Sequence, residues 1–257
     1  MRKIAAIATT TFREAMRSKV MYSVLFFAAF VIAIAALFGT VTIGDQIRVI
    51  KDFGLFSISV FTVGYAIIVG AALLHKELSR KTVYNILAKP VHRSEFILGK
   101  FLGMLFTSLV MVVVMGAGLM VFVWLFSGVP DWLLPQAFYF IFLELVVVCA
   151  ASIFFSSIVV TPLLAGLFTL GVFLAGRSAE YLLHLADKME LTGAIKSLLH
   201  AVYWVLPHLH QLSIANSIVY GERLSLQHAI WYSTYAAGYA GVLLCLASIF
   251  FRRREFN

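Results

Sequence analysis

The sequence predicts an all-α polytopic membrane protein with six transmembrane helices. The chain has 257 residues, of which 62% are hydrophobic and only 12% are charged, and its mean hydropathy is +0.97. Soluble domains carry about a quarter charged residues. Several charge-free stretches reach the roughly 20 residues that a helix needs to cross the hydrocarbon core of a bilayer. No stretch remains for a soluble domain, so we expect residues 1–257 to form a single transmembrane domain.

The first residues predict an amphipathic helix that lies in the membrane interface. Within residues 1–19, apolar side chains such as Ile4 and Ile7 fall on one side at helical spacing, and Arg13 and Arg17 fall on the other. A short basic amphipathic helix beside a span lies most simply in the interface. A solvated cytoplasmic tail is the alternative.

Six charge-poor stretches predict the spans. They cover residues 20–39, 53–74, 101–128, 135–158, 161–176 and 229–251. We place the break between the fourth and fifth spans at Ser156–Pro162, where small polar residues and a proline permit a turn. Residues 177–228 are more polar, and their short apolar pieces predict re-entrant or interfacial helices between spans 5 and 6.

The distribution of lysine and arginine predicts the orientation. Fourteen of these residues fall in the N-terminal helix, in residues 75–100 and in the C-terminal tail, whereas six fall in the connections on the other side. An excess of Lys and Arg marks cytoplasmic segments. Both termini and the segment 75–100 are therefore predicted to be cytoplasmic, and residues 177–228 extracytoplasmic.

The cytoplasmic segment 75–100 holds the densest mixed charge in the chain and joins spans 2 and 3. Pro90 divides it, because proline cannot continue a helix. Ser94 is predicted to cap the next helix, with Glu95 in the first turn, where the helix dipole favours an anion. That helix would run directly into the third span, so displacement of the segment would displace the span.

Four motifs in order along the chain carry a family resemblance. The first lies in the segment 75–100, and the others are TFREAMRSKVMYSVL near the N-terminus, LPHLHQLSIANSIVYGE at 206–222 and FFRRREF at the C-terminal end. Together they resemble the permeases of the ABC type-2 family. The matching residues of the first motif are Glu77, Lys81, Thr82, Leu87, Pro90, Arg93, Gly99 and Lys100. Two departures are the missing glycine before Thr82 and the histidines at 208 and 210.

The resemblance implies the permease subunit of an ABC exporter in a bacterial or archaeal cytoplasmic (inner) membrane. Such a subunit moves a substrate with ATP that a separate ATPase subunit hydrolyses. We expect two ATPase copies and a second permease copy, with a homodimer favoured and a heterodimer left open. The chain contains no GxxxxGK[ST] motif, so it is not expected to be an enzyme or to bind a cofactor. ATP and Mg would bind to the partner.

The resemblance also implies where the ATPase docks. The N-terminal helix and the segment 75–100 would fit a cleft in that partner, with no role for nucleic acid. The candidate docking and coupling residues are Glu77, Arg80, Lys81, Thr82, Pro90, Arg93, Lys100, Arg13 and Arg17. The alternative for the cations is contact with lipid headgroups, and Lys100 in particular can extend its amine to the interface.

Glu144 is the one acidic residue deep inside a predicted span. A charge near the bilayer centre is expensive, so the residue is predicted to face the protein interior or a cavity, or to be protonated. We consider three roles for Glu144: part of the translocation path, part of a dimer seam, or a structural hydrogen-bond acceptor.

His208 and His210 are weak candidates for metal ligands. Their spacing is compatible with a transition metal, but no second spaced set of Cys, Asp or Glu completes a site. Histidines in an interfacial loop more often act as amphipathic anchors, so we predict no metal site and no catalytic residues.

Two other functions remain open at the level of sequence. A secondary, ion-coupled transporter would need more buried acids or inverted repeats, and only Glu144 qualifies. A permease-like subunit that performs mechanical or signalling work has the same sequence features as a transporter.

Overall fold

A computed structural model describes residues 2–41, 46–79, 92–181, 193–212 and 226–253, which are helical almost throughout. The helices are α1 (Arg2–Met16), α2 (Lys19–Val41), α3 (Gln46–Ser79), α4 (Arg93–Ser127), α5 (Leu134–Ile158), α6 (Pro162–Arg177), α7 (Gly193–Val205) and α8 (Leu226–Arg253). A short 3-10 helix, Leu209–Leu212, follows α7. These ranges contain no strand, so the predicted all-α class is confirmed.

Helix α5 lies at the centre of the bundle, where it contacts α3, α4, α6 and α8. Most of its side chains are buried, because its residues are apolar on all sides. Small residues bring α3 close to it. A Cβ atom on Gly70 would lie 2.4 Å from the hydroxyl of Ser152. The hydroxyls of Ser152 and Ser156 donate to the carbonyls of Ile67 and Ala71, a common way to join membrane helices.

Helix α1 lies along the first turns of α4, and two glycines permit this close approach. A Cβ atom on Gly99 would lie 2.7 Å from the Cβ of Ile7. On Gly103 it would lie 2.6 Å from the Cβ of Thr11 and 2.7 Å from the carbonyl oxygen of Ala8. Glycines four residues apart commonly mark such contacts between membrane helices. Helix α1 is therefore held directly against α4.

Four helices, α3, α4, α5 and α8, are long and apolar enough to cross a membrane, and the number becomes five if α1 and α2 form one bent span. The sequence predicts six spans. Helix α6 explains part of the difference, because its 16 residues extend only about 24 Å and a hydrocarbon core is about 30 Å thick. Helix α2 qualifies only together with α1, from which it bends by 59°. The protein is multi-pass, and the count of six stays a prediction.

The start of α4 differs from the prediction by two residues. The capping residue is His92, not Ser94, and α4 begins at Arg93. The backbone N–H of His92 donates to the carboxylate of Glu95 at 3.0 Å. A glutamate reaches back three residues to the cap, so Glu95 itself indicates position 92. Ser94 lies inside the first turn, where its side chain is exposed.

The break between α5 and α6 lies within Ser156–Pro162. Helix α5 ends at Ile158 and α6 begins at Pro162. Proline is well suited to the first helical position, since its missing N–H would have no partner there. The hydroxyl of Thr161 accepts from the N–H of Leu164 and caps α6.

One end of the bundle is closed by contacts between the start of α4 and the end of α8. The guanidinium of Arg93 donates to the carbonyl of Phe251 at 3.0 Å, and the ring of Phe251 stacks on that of Phe96 with centroids 6.1 Å apart. A cation near the last carbonyls of a helix is favourable because they carry partial negative charge.

At the other end, Lys51 of α3 forms an ion pair with Asp131, which lies between α4 and α5. The Asp131 carboxylate also accepts from the N–H of Leu133. Burial alone would raise the pKa of Asp131, but these two hydrogen bonds and the charge of Lys51 lower the pKa below its ordinary value. The turn is therefore anchored to α3.

Candidate functional site

A cavity of about 390 Å³ lies between α3, α5 and α6, toward the end of the bundle that holds Asp131. Its polar lining comes from Asp52 and Ser59 of α3, Glu144 of α5 and Arg177 at the end of α6. Most of the remaining lining is apolar. We call this space the first cavity.

Three side chains from three helices meet at its wall. Glu144 is almost fully buried, with 1% of its surface exposed. Its Oε2 accepts from the hydroxyl of Ser59 at 3.2 Å, and its Oε1 lies 3.7 Å from Nη1 of Arg177. The same Nη1 donates to the hydroxyl oxygen of Ser59 at 3.3 Å. The carboxylate is thus kept inside the protein and balanced by one cation, as a charge within a membrane requires.

One carboxylate oxygen in this group accepts no hydrogen bond from the part of the chain that the structure describes. Glu144 Oε1 is buried and accepts no hydrogen bond from any residue that the structure describes, because the guanidinium is too distant and is directed to Ser59. Buried acceptors are usually satisfied. The ion pair with Arg177 is therefore the main interaction of this oxygen, which is shielded from solvent.

A second cavity, of about 890 Å³, lies between α1, α3 and α4. Its lining includes Arg13 of α1, Arg17 in the turn after α1 and Lys100 of α4, and both arginines are exposed. Lys100 is only 5% exposed, and its amine lies 5.7 Å from the centre of the Phe96 ring. The sequence places Lys100 at the membrane interface or on a docking surface, whereas the structure places it inside this second cavity.

The predicted docking residues fall into three groups. Arg13 is exposed on α1, and Arg17 is exposed in the turn that directly follows α1. Arg93 is half-buried and bonded to the end of α8, so it joins two helices. The others lie outside the described residues or have undescribed side chains, and their docking role stays a prediction; they are Glu77, Arg80, Lys81, Thr82 and Pro90.

Comparison with known families identifies the chain. The family described as ABC-2 family transporter protein matches residues 5–253, which is nearly the whole chain. The chain belongs to the ABC-2 transporter family. The family resemblance of the sequence motifs is thereby confirmed. The chain is an ABC transporter permease, and permeases of this family are membrane subunits. A search among curated proteins found no match.

His208 of this permease lies against aromatic residues of α7 and α8. The backbone N–H of His208 donates to the hydroxyl of Tyr235 at 2.9 Å, and its Nδ1 lies 3.1 Å from the same oxygen. Its ring packs edge-on against Tyr203, with centroids 4.3 Å apart. Burial, and to a smaller extent the neighbouring charge of His210, lower the pKa of His208.

The two histidine rings are 5.9 Å apart. Within the described ranges, no third His, Cys, Asp or Glu joins them in a group that could hold a metal. The anchoring role of these histidines at the membrane interface stays a prediction.

The ABC-2 permease contains two site residues that sequence reasoning missed, Ser59 and Arg177. In the sequence, Arg177 is one of the six Lys and Arg residues on the extracytoplasmic side and serves only to predict orientation. A usable signal was present, because Arg177 is the next charged residue after Glu144 and a lone buried acid requires a cation. Ser59 carries no such signal, since serines are frequent in α3.

Proposed function

We propose that this permease moves a substrate across the cytoplasmic membrane, driven by ATP that a separate ATPase subunit hydrolyses. Two ATPase copies and a second permease copy would complete the assembly. Both termini and the segment between α3 and α4 would be cytoplasmic, and α1 would lie in the membrane interface.

The contact between α1 and α4 is the observation that carries the proposal. A membrane subunit that is driven by a cytoplasmic ATPase needs a rigid element that binds the ATPase and transfers its movement to a transmembrane helix. Arg13 on α1 and Arg17 directly after it are exposed, while Gly99 and Gly103 let α1 pack closely on α4. A force applied to α1 therefore acts on α4.

The segment 75–100 is the second proposed docking element. It joins the end of α3 to the start of α4, and Arg93 ties that start to α8. An ATPase bound there would act on three spans together. In this arrangement Arg93 transmits movement between the helices. The charged residues that precede it in the chain would contact the ATPase.

Co-purification from membranes tests docking by α1. The complex, solubilised gently from its own host, is expected to contain an ABC ATPase. Arg13→Ala with Arg17→Ala should reduce the recovered ATPase at least about fivefold, because two contacts to acidic groups worth roughly 0.5 kcal/mol each are lost. Arg48→Ala removes an exposed cation at the opposite end of the bundle and should leave recovery unchanged.

The outcomes separate the possibilities. Intact recovery with the double variant would move docking to the segment 75–100, where Glu77→Ala is the next test. If no ATPase co-purifies with the unaltered chain, the ATP-driven assembly is refuted and an ion-coupled transporter takes its place.

A further inference from the structure

The second cavity is apolar over much of its wall. Its volume of about 890 Å³ lies in the upper part of the roughly 300–1,000 Å³ that ligand sites usually have. Leu73 of α3 and Met104 of α4 are buried and form its floor. Val20 and Ile68 also line it and are 38% and 59% exposed, so apolar side chains form part of its mouth. A ligand that fills this cavity is therefore expected to have an apolar part.

The polar lining of the same cavity carries an excess of positive charge. Arg13 and Arg17 are exposed at the cavity, and Lys100 lies in its wall. Glu14 is the one acidic lining residue in the part of the chain that the structure describes. Three cations against one carboxylate favour an anion. Arginine forks and lysine amines are common partners of phosphate groups, so a phosphate suits this lining.

The position of the cavity favours a lipid over a soluble anion. The amphipathic α1 bends by 59° into the apolar α2, and the cavity lies at this bend, against α3 and α4. Such a helix lies at the level of the lipid headgroups. Basic pockets between membrane helices on the cytoplasmic side bind anionic headgroups. A soluble anion would leave the exposed side chains of Val20 and Ile68 without an apolar partner.

We propose that the second cavity binds one anionic phospholipid of the cytoplasmic leaflet, with its phosphate beside Lys100 and Arg17 and an acyl chain against Val20 and Ile68. The lipid would contact α1, α3 and α4 together and would strengthen the packing of α1 on α4. This inference goes beyond the proposed transport function. It rests on the proposed interfacial position of α1, but lipid binding itself requires neither ATPase nor transport.

Native mass spectrometry of the full chain in a non-ionic detergent tests the proposal. Phosphatidylglycerol is titrated into the sample, and phosphatidylcholine with the same acyl chains is the zwitterionic reference. We expect one saturable phosphatidylglycerol site that Lys100→Met weakens at least about tenfold, as loss of one charged hydrogen bond predicts. Lys19→Met is the matched control, because it removes an exposed cation that does not line the cavity. It should leave the affinity unchanged.

A second variant fills the cavity without altering its charge. Ala72 of α3 lines the cavity and is half-buried. Ala72→Phe should place a ring in the space that the lipid needs and weaken binding several-fold, even if Lys100→Met does not fold. A single symmetric peak in size-exclusion chromatography verifies folding of each variant.

Each outcome decides the matter. Equal binding of the two lipids by the unaltered chain would overturn the proposal, as would unchanged affinity in folded Lys100→Met or folded Ala72→Phe. Competition by soluble glycerol 3-phosphate at the concentration of the lipid would overturn the lipid as occupant and assign the site to a free phosphate. Because no ATPase is present, a failed co-purification leaves this result unaffected.

Discussion

Glu144 shows how one buried carboxylate determines its surroundings. Its carboxylate accepts a hydrogen bond from a hydroxyl of α3 and forms an ion pair with a guanidinium at the end of α6, so a single side chain connects three helices. Removing only one member of such a group leaves an uncompensated charge, which is worse than removing both. The effect is directly measurable.

Arg177→Met should lower the free energy of unfolding by about 2–4 kcal/mol, since it leaves the Glu144 carboxylate without its cation. Adding Glu144→Gln should restore most of that loss, because the neutral amide still bonds to Ser59. A double-mutant cycle of unfolding in mixed detergent micelles measures both effects. A double variant no more stable than Arg177→Met would show that the two groups do not interact.

His208 predicts a dependence of stability on pH. Its folded pKa lies below the ordinary value of 6.5, so as pH falls the unfolded chain takes up the proton first. The stabilising contribution is fully present above pH 6.5 and is lost as pH falls below it. Melting temperatures from pH 7.5 to 5.5 should fall for the unaltered chain and fall less for His208→Gln. Parallel curves for the two proteins would refute this reading.

Helix α4 shows how two small residues define a contact between elements. The spacing of Gly99 and Gly103 is visible in the sequence as GxxxG, a motif of helix contact in membranes. The sequence does not indicate which helix packs against these two glycines. The structure shows that it is α1, which contacts them through Ile7, Ala8 and Thr11.

Gly103→Ala should destabilise the permease by about 1–3 kcal/mol, because a methyl group there overlaps Thr11 and the backbone of Ala8. Gly118→Ala is the matched control in the same helix. A Cβ atom at 118 has open space around it and should be neutral or stabilising by up to about 1 kcal/mol through helix propensity. Unfolding measurements that rank the two variants equally would contradict the close packing of α1 on α4.

The elements differ in how well the sequence predicts them. Helix α5 runs over Leu134–Ile158, within one residue of the predicted stretch, because Pro135 and the cluster at Ser156–Pro162 mark both ends chemically. The sequence predicts the cap of α4 at Ser94 because serine is a common capping residue. The observed cap is His92, and Glu95, three residues later, is the residue that indicates it. The sequence does not predict that Glu144 contacts Ser59 and Arg177, because these residues are distant in the chain. Which residues meet across a helix bundle depends on helix packing, and hydrophobic periodicity does not determine that packing.

At the scale of the whole molecule, α4 predicts which residues lie on opposite sides of the membrane. The helix has 35 residues and extends about 52 Å, so Ser94 and Trp132 lie beyond opposite faces of a hydrocarbon core. The positive-inside rule assigns Ser94 to the cytoplasm.

Cysteine labelling checks this orientation. Cys149 is buried and unreactive to bulky reagents, so Cys245→Ala provides a suitable background. A membrane-impermeant maleimide should label Trp132→Cys in intact cells and Ser94→Cys only after permeabilisation. The opposite pattern would reverse the orientation and exclude α1 as the site of a cytoplasmic partner.

The order of the three helices that meet at Glu144 bears on how the protein is made. During synthesis α3 and α5 leave the ribosome before α6, so for an interval the Glu144 carboxylate has the Ser59 hydroxyl and no cation. The connection from Ile158 to Pro162 is short, which keeps that interval brief. Release of α5 into lipid before α6 arrives would leave the carboxylate there without its cation, which favours insertion of α5 and α6 together.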